Sequence, residues 1–188
     1  MKLLNRILWL LVLVLLLVIP FIAYAEVYTT AKIGYVEMDT DDARVGIIKE
    51  VAVGYEWEKV SAEVSFGHWR MYIKGTEADN LDYKYVGEFI IMPLMGSVRY
   101  HVLDWLYVGG GYGTALTNFR ENYAGEAEIK SPRLGSAIAG LELGNWFLEY
   151  RRLFGDMNIE SGNKGIGVLE DYSRFDCSQI MVGYKLKW

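Results

Sequence analysis

The chain contains few of the side chains that usually carry catalysis or bind metals. It has two histidines, His68 and His101, and a single cysteine, Cys177. One thiol cannot form an intrachain disulfide or a cysteine-based zinc site, and two separated histidines do not make a histidine-rich metal site. We therefore expect no metal site and no cofactor, and we expect Cys177 to be partly buried and unreactive.

Acidic and basic side chains are more informative, because they recur at alternate positions in several segments. The positions between them are mostly apolar, which is typical of a β-strand with one polar face. If that face is enclosed, acids and bases must pair, since an unpaired buried charge is costly. The predicted polar network consists of Glu56, Glu63, Arg99, Glu142, Glu149, Arg151 and Lys185, with Lys32, His101 and Lys187 on the same face.

Two roles are open for this network. Either it only holds the protein shut and rigid, which is the leading interpretation, or it lines a gated narrow pore for ions or small solutes. Gly109, Gly111 and Gly113 share the polar phase and would leave space beside the long side chains. These glycines do not form a phosphate-binding loop, because no Gly-Lys-Ser/Thr sequence and no helix start follow them.

The elements that position these groups are predicted to be β-strands. After residue 25, no segment combines helical periodicity with a helix cap and a run of good helix formers. Strict alternation of apolar and polar residues occurs instead, segment after segment. It predicts eight strands, in the segments 27–38, 51–57, 60–67, 90–102, 106–113, 133–143, 146–154 and 180–188.

The connections between these segments alternate in length. Short turns are predicted at 58–59, 103–105 and 144–145, and longer polar connections at 39–46, 71–88, 118–128 and 155–172. An even strand number, with short turns at one end and long loops at the other, is typical of barrels that span the bacterial outer membrane. Eight strands make the smallest common barrel, and side chains just fill its interior.

Tryptophan placement also favours a membrane barrel. Trp57, Trp105 and Trp146 lie at or beside the predicted short turns, and Trp188 ends the chain at the same level. Indole prefers the membrane interface, where its ring contacts lipid and its N–H reaches water. These four residues are therefore predicted to form the periplasmic aromatic girdle.

The N-terminus predicts export. Lys2 and Arg6 precede an unbroken apolar run of 13 residues, 7–19, and Ala23-Tyr-Ala25 offers a small-x-small cleavage site. This pattern is a signal peptide, 1–25, and it is too short to span a bilayer comfortably. Cleavage would leave one domain, 26–188, and change the net charge from −5 to about −7. An acidic domain without a basic cluster is not expected to bind nucleic acid.

Three blocks, Pro93–His101, Leu106–Gly113 and Gly140–Arg151, resemble the strand–turn–strand units of small outer-membrane β-barrel proteins of the OmpA/OmpX/OmpW type. The C-terminal segment 180–188 is similar to the closing strand of such barrels, where alternating apolar residues and a terminal aromatic form the assembly signal. The resemblance extends over most of 26–188. It implies a membrane anchor, an adhesin, a narrow channel or a lipid A-modifying enzyme, and fold alone cannot choose among these.

The enzyme alternative is weakened by missing residues. Lipid A deacylases, whose layout this chain resembles, carry a His-x-Ser motif in a late strand, whereas Leu148–Leu153 contains neither residue. Lipid A palmitoyltransferases need His, Asp and Ser near the outer rim. His68 lies at the outer end of its strand, but no serine shares its face. No nucleophile is therefore paired with a base, and we expect no catalysis.

The sequence thus predicts an eight-stranded antiparallel up-and-down β-barrel in the bacterial outer membrane. Its leading function is that of a structural or surface-interaction protein with a plugged polar interior. The alternatives are a narrow channel and, third, a lipid A-modifying enzyme. Its predicted partners are outer-membrane lipid, lipopolysaccharide and, through the C-terminal strand, the barrel assembly machinery, while the sequence does not identify a surface ligand.

Overall fold

The computed structural model describes residues 26–38, 46–73, 87–121, 125–160 and 176–188. Regular structure in these residues consists of eight strands: β1 (Glu26–Met38), β2 (Gly46–Trp57), β3 (Val60–Ile73), β4 (Gly87–Leu103), β5 (Leu106–Glu121), β6 (Gly125–Leu143), β7 (Trp146–Glu160) and β8 (Cys177–Lys187). Each strand pairs antiparallel with the next, and β8 pairs with β1 to close a barrel. The predicted fold class is confirmed.

No helix in the described part of the chain is long and apolar enough to cross a membrane. The predicted signal peptide, 1–25, lies outside the described residues and stays a prediction.

Burial alternates along every strand, but in the opposite sense to a soluble barrel. In β2 the buried positions include Glu50, whereas Val51 and Val53 are 58% and 53% exposed on the outside. Charged side chains such as Glu149 and Arg151 face inward, although apolar residues accompany them. Such alternation, with an apolar exterior and a polar interior, is the pattern of a barrel surrounded by lipid.

The strands are longer than the apolar alternation predicted. The prediction of a long connection at 118–128 is wrong for most of these residues, because β5 continues to Glu121 and β6 begins at Gly125. The expected connection at 155–172 is likewise shortened by β7, which ends at Glu160. Backbone pairing satisfies N–H and C=O groups whatever the side chains are, so a ladder can extend past the apolar belt into polar sequence.

Two-residue turns join the strands at one end, which we call the short-turn end: Glu58–Lys59, Asp104–Trp105 and Gly144–Asn145. In two of these turns the first residue takes the left-handed backbone that tight hairpins favour, since Glu58 and Gly144 have φ angles of 51° and 63°. Backbone hydrogen bonds also join neighbouring hairpins here. The His101 N–H donates to the Lys59 carbonyl at 2.7 Å, and the Lys185 N–H donates to the Asn145 carbonyl at 2.7 Å.

Three inward aromatic rings lie over glycines on the neighbouring strand. Each pair is directly opposed in the ladder: Tyr28 with Gly54, Tyr107 with Gly140, and Phe147 with Gly183. All six residues are buried. A side chain on any of these glycines would occupy the volume that the ring fills, so the glycines make room for aromatic packing inside the barrel.

Gly183→Ala is expected to destabilise the barrel by about 1–3 kcal/mol. The new methyl would lie 2.6 and 2.7 Å from Cε1 and Cε2 of the buried Phe147 ring. Gly96→Ala is the matched control, because Gly96 faces outward and its new methyl would approach nothing closer than the Tyr112 carbonyl oxygen at 3.8 Å. Urea unfolding in detergent, followed by tryptophan fluorescence, measures both. Equal stability of the two variants would contradict the packing argument.

Candidate functional site

The middle of the barrel interior holds six charged side chains, which we call the central charge cluster. None is more than 4% exposed. Three carry positive charge and three carry negative charge, so the cluster is electrically balanced. Its members are Lys32 on β1, Glu50 on β2, Glu63 on β3, Arg99 on β4, and Glu149 and Arg151 on β7.

Both arginines of the cluster make two-pronged contacts with carboxylates. Arg99 donates to the two oxygens of Glu63 at 2.9 and 2.8 Å. Arg151 donates to the two oxygens of Glu50 at 2.8 and 3.0 Å. The planar guanidinium group matches a carboxylate in this geometry, which gives strong and directional pairs.

Glu149 connects the two arginines. Its oxygens lie 2.8 Å from Arg99 Nη2 and 2.7 Å from Arg151 Nη2. The Tyr107 hydroxyl donates to Glu149 at 3.0 Å, and Lys32 Nζ bridges Glu50 at 2.7 Å and Glu63 at 2.6 Å. Strands from both halves of the sequence therefore meet in one buried network across the interior.

A second group of side chains lies at the short-turn end, and we call it the mouth ring: Glu56, His101, Glu142 and Lys185. Each is near the end of an even-numbered strand, so all four arrive at the same level. Lys185 Nζ lies 3.1 Å from Glu56 Oε2 and 2.5 Å from Glu142 Oε1. His101 Nε2 lies 3.3 Å from Glu142 Oε2.

Several polar atoms inside the barrel have no hydrogen-bonding partner within the part of the chain that the structure describes. They include the hydroxyl oxygens of Ser97 and Ser136 and Oε1 of Gln179. Buried polar atoms of this kind are usually satisfied by ordered water. Gly111 lies between Ser97 and Ser136 in the ladder, and a methyl group there would come within 2.7 Å of Ser136 Oγ.

All seven residues of the sequence-derived network face the interior, but they divide between the two clusters. Glu63, Arg99, Glu149 and Arg151 belong to the central charge cluster, and Glu56, Glu142 and Lys185 belong to the mouth ring. Sequence reasoning missed Glu50, because the second strand was expected to begin at Val51. Glu50 is in phase with Ala52, Gly54 and Glu56, and extending the alternation by one residue would have found it.

The four tryptophans of the predicted girdle lie at the short-turn end. Trp105, Trp146 and Trp188 are exposed and Trp57 is half-buried. Trp146 packs edge-on against Tyr184, with ring centroids 5.0 Å apart. Their position relative to lipid remains a proposal.

The remaining residues with versatile chemistry lie apart from one another. His68 is exposed on the outer face of β3, opposite Lys49 of β2. Cys177 is fully buried at the start of β8. Neither contributes to the mouth ring or the central charge cluster.

Comparison with known proteins supports the architecture. No protein-family model matches the chain, and no curated protein matches it significantly. Among solved structures, Neisserial surface protein A (NspA) matches with a TM-score of 0.53 at 9% identity, over 86% of this chain and 97% of NspA. Ail, the attachment invasion locus protein of Yersinia pestis, matches with a TM-score of 0.51 at 14% identity, over 86% of this chain and 97% of Ail.

These likenesses show the fold. The chain has the architecture of the small eight-stranded outer-membrane β-barrels, as the sequence predicted, and the predicted outer-membrane localisation agrees with it. At such low identity the relatives do not transfer a function, because one fold supports many.

Proposed function

We propose that this chain is a non-enzymatic outer-membrane barrel with a structural or surface-interaction role, and that its interior is plugged. The observation that supports this is the central charge cluster. Six charged groups from five strands pair with one another across the interior, and each is at least 96% buried. Charges held this tightly exclude a free path for ions, because moving one would leave its partners unpaired in a low-dielectric site.

Interaction with partners would then occur on the outer surfaces. The exposed apolar belt of residues such as Val51 and Ile180 is suited to outer-membrane lipid, including lipopolysaccharide. Strand β8, with its outward Ile180 and Val182, is suited to recognition by the barrel assembly machinery. One protein with this fold, Ail, has been solved in complex with the heparin analogue sucrose octasulfate, which is a precedent for ligand binding by such a barrel.

A narrow channel is the second candidate, and the unpartnered polar atoms inside the barrel favour it. Ser97, Ser136 and Gln179 carry such atoms, and waters that satisfy them would hydrate the interior beside the cluster. In this case the cluster would act as a gate that opens, and not as a permanent plug.

Conductance of the purified protein in planar lipid bilayers is expected to stay at the level of the protein-free bilayer. The plug should be released by the neutral double change Glu63→Ser with Arg99→Ser, which removes one two-pronged ion pair without leaving net charge. Lys187→Met is the control, because it removes a charge from a side chain that is 43% exposed and lies outside the central charge cluster. The channel would instead be established if the unchanged protein showed a steady open state, and if charge changes at Glu56, Arg99 or Arg151 abolished that state.

A further inference from the structure

The mouth ring has the donor atoms of a metal site. Glu56, His101 and Glu142 each offer one ligand atom, and these atoms all lie within 4.8 Å of one another. One imidazole with two carboxylates is a set that Zn²⁺ accepts, with water as a fourth ligand. The three donors come from β2, β4 and β6, so their spacing is set by the closed ladder and not by one flexible segment.

The spacing of two donors already suits a metal. Ligands about 2.1 Å from a tetrahedral zinc ion lie about 3.4 Å from each other. His101 Nε2 and Glu142 Oε2 are 3.3 Å apart. Glu56 must move closer, and its side chain lies at the open end of the interior, where it is 14% exposed.

His101 is a buried imidazole at the edge of this group. It is 7% exposed, and its Nδ1 has no hydrogen-bonding partner among the residues that the structure describes. Among the described residues, its Nε2 makes one hydrogen bond, to Glu142 at 3.3 Å. The ring packs against Tyr107, with centroids 5.6 Å apart, so its position is fixed, and replacing one long hydrogen bond of Nε2 by a metal ligand would cost the fold little.

The charges of the mouth also favour a cation. The ion pairs that join this group involve three carboxylates, Glu26, Glu56 and Glu142, and two ammonium groups, Lys185 and Lys187. With His101 neutral, this group carries one excess negative charge. The Lys185 ammonium lies between Glu56 and Glu142, which shows that both carboxylates converge on a point where positive charge is stabilised.

We propose that the mouth ring binds one divalent transition-metal ion, with Zn²⁺ as the best fit, through Glu56, His101 and Glu142, in competition with the Lys185 ammonium. On binding, the Lys185 ammonium gives up its two ion pairs and the metal ion takes its place between the carboxylates. The ion then links β2, β4 and β6 at the short-turn end. This proposal differs from the expectation from sequence, which was that the chain has no metal site, and it does not depend on whether the interior conducts.

Zn²⁺ titration of the folded protein, purified without a histidine tag and followed by isothermal calorimetry, is expected to show one ion per barrel. His101→Ala should weaken binding by at least about tenfold. The matched control is His68→Ala, because His68 is the chain's only other histidine and is exposed on the outer face. Lys185→Met should tighten binding, since the competing ammonium is gone. Bound Zn²⁺ should also raise the thermal unfolding temperature of the unchanged protein but not of His101→Ala.

Two results would overturn the proposal. The first is no saturable Zn²⁺ binding by the unchanged protein. The second is Zn²⁺ binding that His101→Ala leaves unchanged, and its loss in His68→Ala would then place the ion on the outer surface. The shift in gel mobility between unheated and boiled samples checks that each variant is folded. If His101→Ala does not fold, Glu142→Gln replaces it, with the same expected loss of binding and the same adverse outcome.

Discussion

Glu149→Gln is expected to lower the free energy of unfolding by about 3–5 kcal/mol, which is the cost of breaking a buried ion pair by removing one partner. Glu149 is fully buried and contacts both Arg99 and Arg151 within 2.8 Å. Glutamine keeps the shape but removes the charge, so one positive charge in the cluster loses its counterpart. Urea unfolding in detergent micelles, followed by tryptophan fluorescence, measures the change.

A double-mutant cycle distinguishes lost pairing from lost packing. Arg99→Met alone should also destabilise, whereas Glu149→Gln combined with Arg99→Met restores electrical balance. The double variant should therefore lose less than the sum of the single losses, with a coupling of about 0.5–3 kcal/mol. Glu26→Gln is the surface control, because its pair with Lys187 is exposed and should contribute less than about 1 kcal/mol. A loss from Glu149→Gln as small as this control would mean that the cluster is hydrated and not a plug.

Val51→Arg is expected to lower the free energy of unfolding in a bilayer by about 2–4 kcal/mol. This is the usual cost of a charge on the lipid-facing side of a barrel near the membrane midplane. Val51 faces outward, is 58% exposed, and lies near the middle of β2, between the short-turn end and the opposite rim. Unfolding in lipid vesicles, compared between the variant and the unchanged protein, gives the value.

Leu143→Arg is the control for this substitution. Leu143 is also apolar and exposed, at 73%, but it lies beside the Gly144–Asn145 turn, at the level expected for the interface. A charge there should cost about 0–1 kcal/mol. Similar small effects at both positions would indicate that water, and not lipid, surrounds the outer face.

Much of the fold could be predicted because a strand has a side-chain period of two. Once Val51 and Val53 are assigned to one face, Ala52 and Gly54 must lie on the other, and the structure has this arrangement. The ends of the strands were harder to predict, because backbone pairing continues into polar sequence where the alternation of apolar and polar residues is lost. The clearest example is the β5–β6 hairpin, whose two strands extend from either side into the expected connection 118–128.

The partners within the candidate site could not be predicted in the same way. Alternation indicates that Arg151 faces inward, but its partner Glu50 is 101 positions away along the chain. Which residues meet across the interior depends on the register of every intervening strand pair. The mouth ring shows the same dependence, since its four members come from four different strands and only the closed ladder brings them to one level.

The distribution of the central charge cluster along the chain has a consequence for the order in which the barrel is assembled. Lys32, Glu50, Glu63 and Arg99 all come from the first half, β1 to β4, and their charges sum to zero. Glu149 and Arg151 are two positions apart on β7, are joined to each other at 2.7 Å, and are neutral as a pair. Each portion is therefore electrically balanced before it meets the other, so the cluster itself adds no net charge to a half-inserted chain.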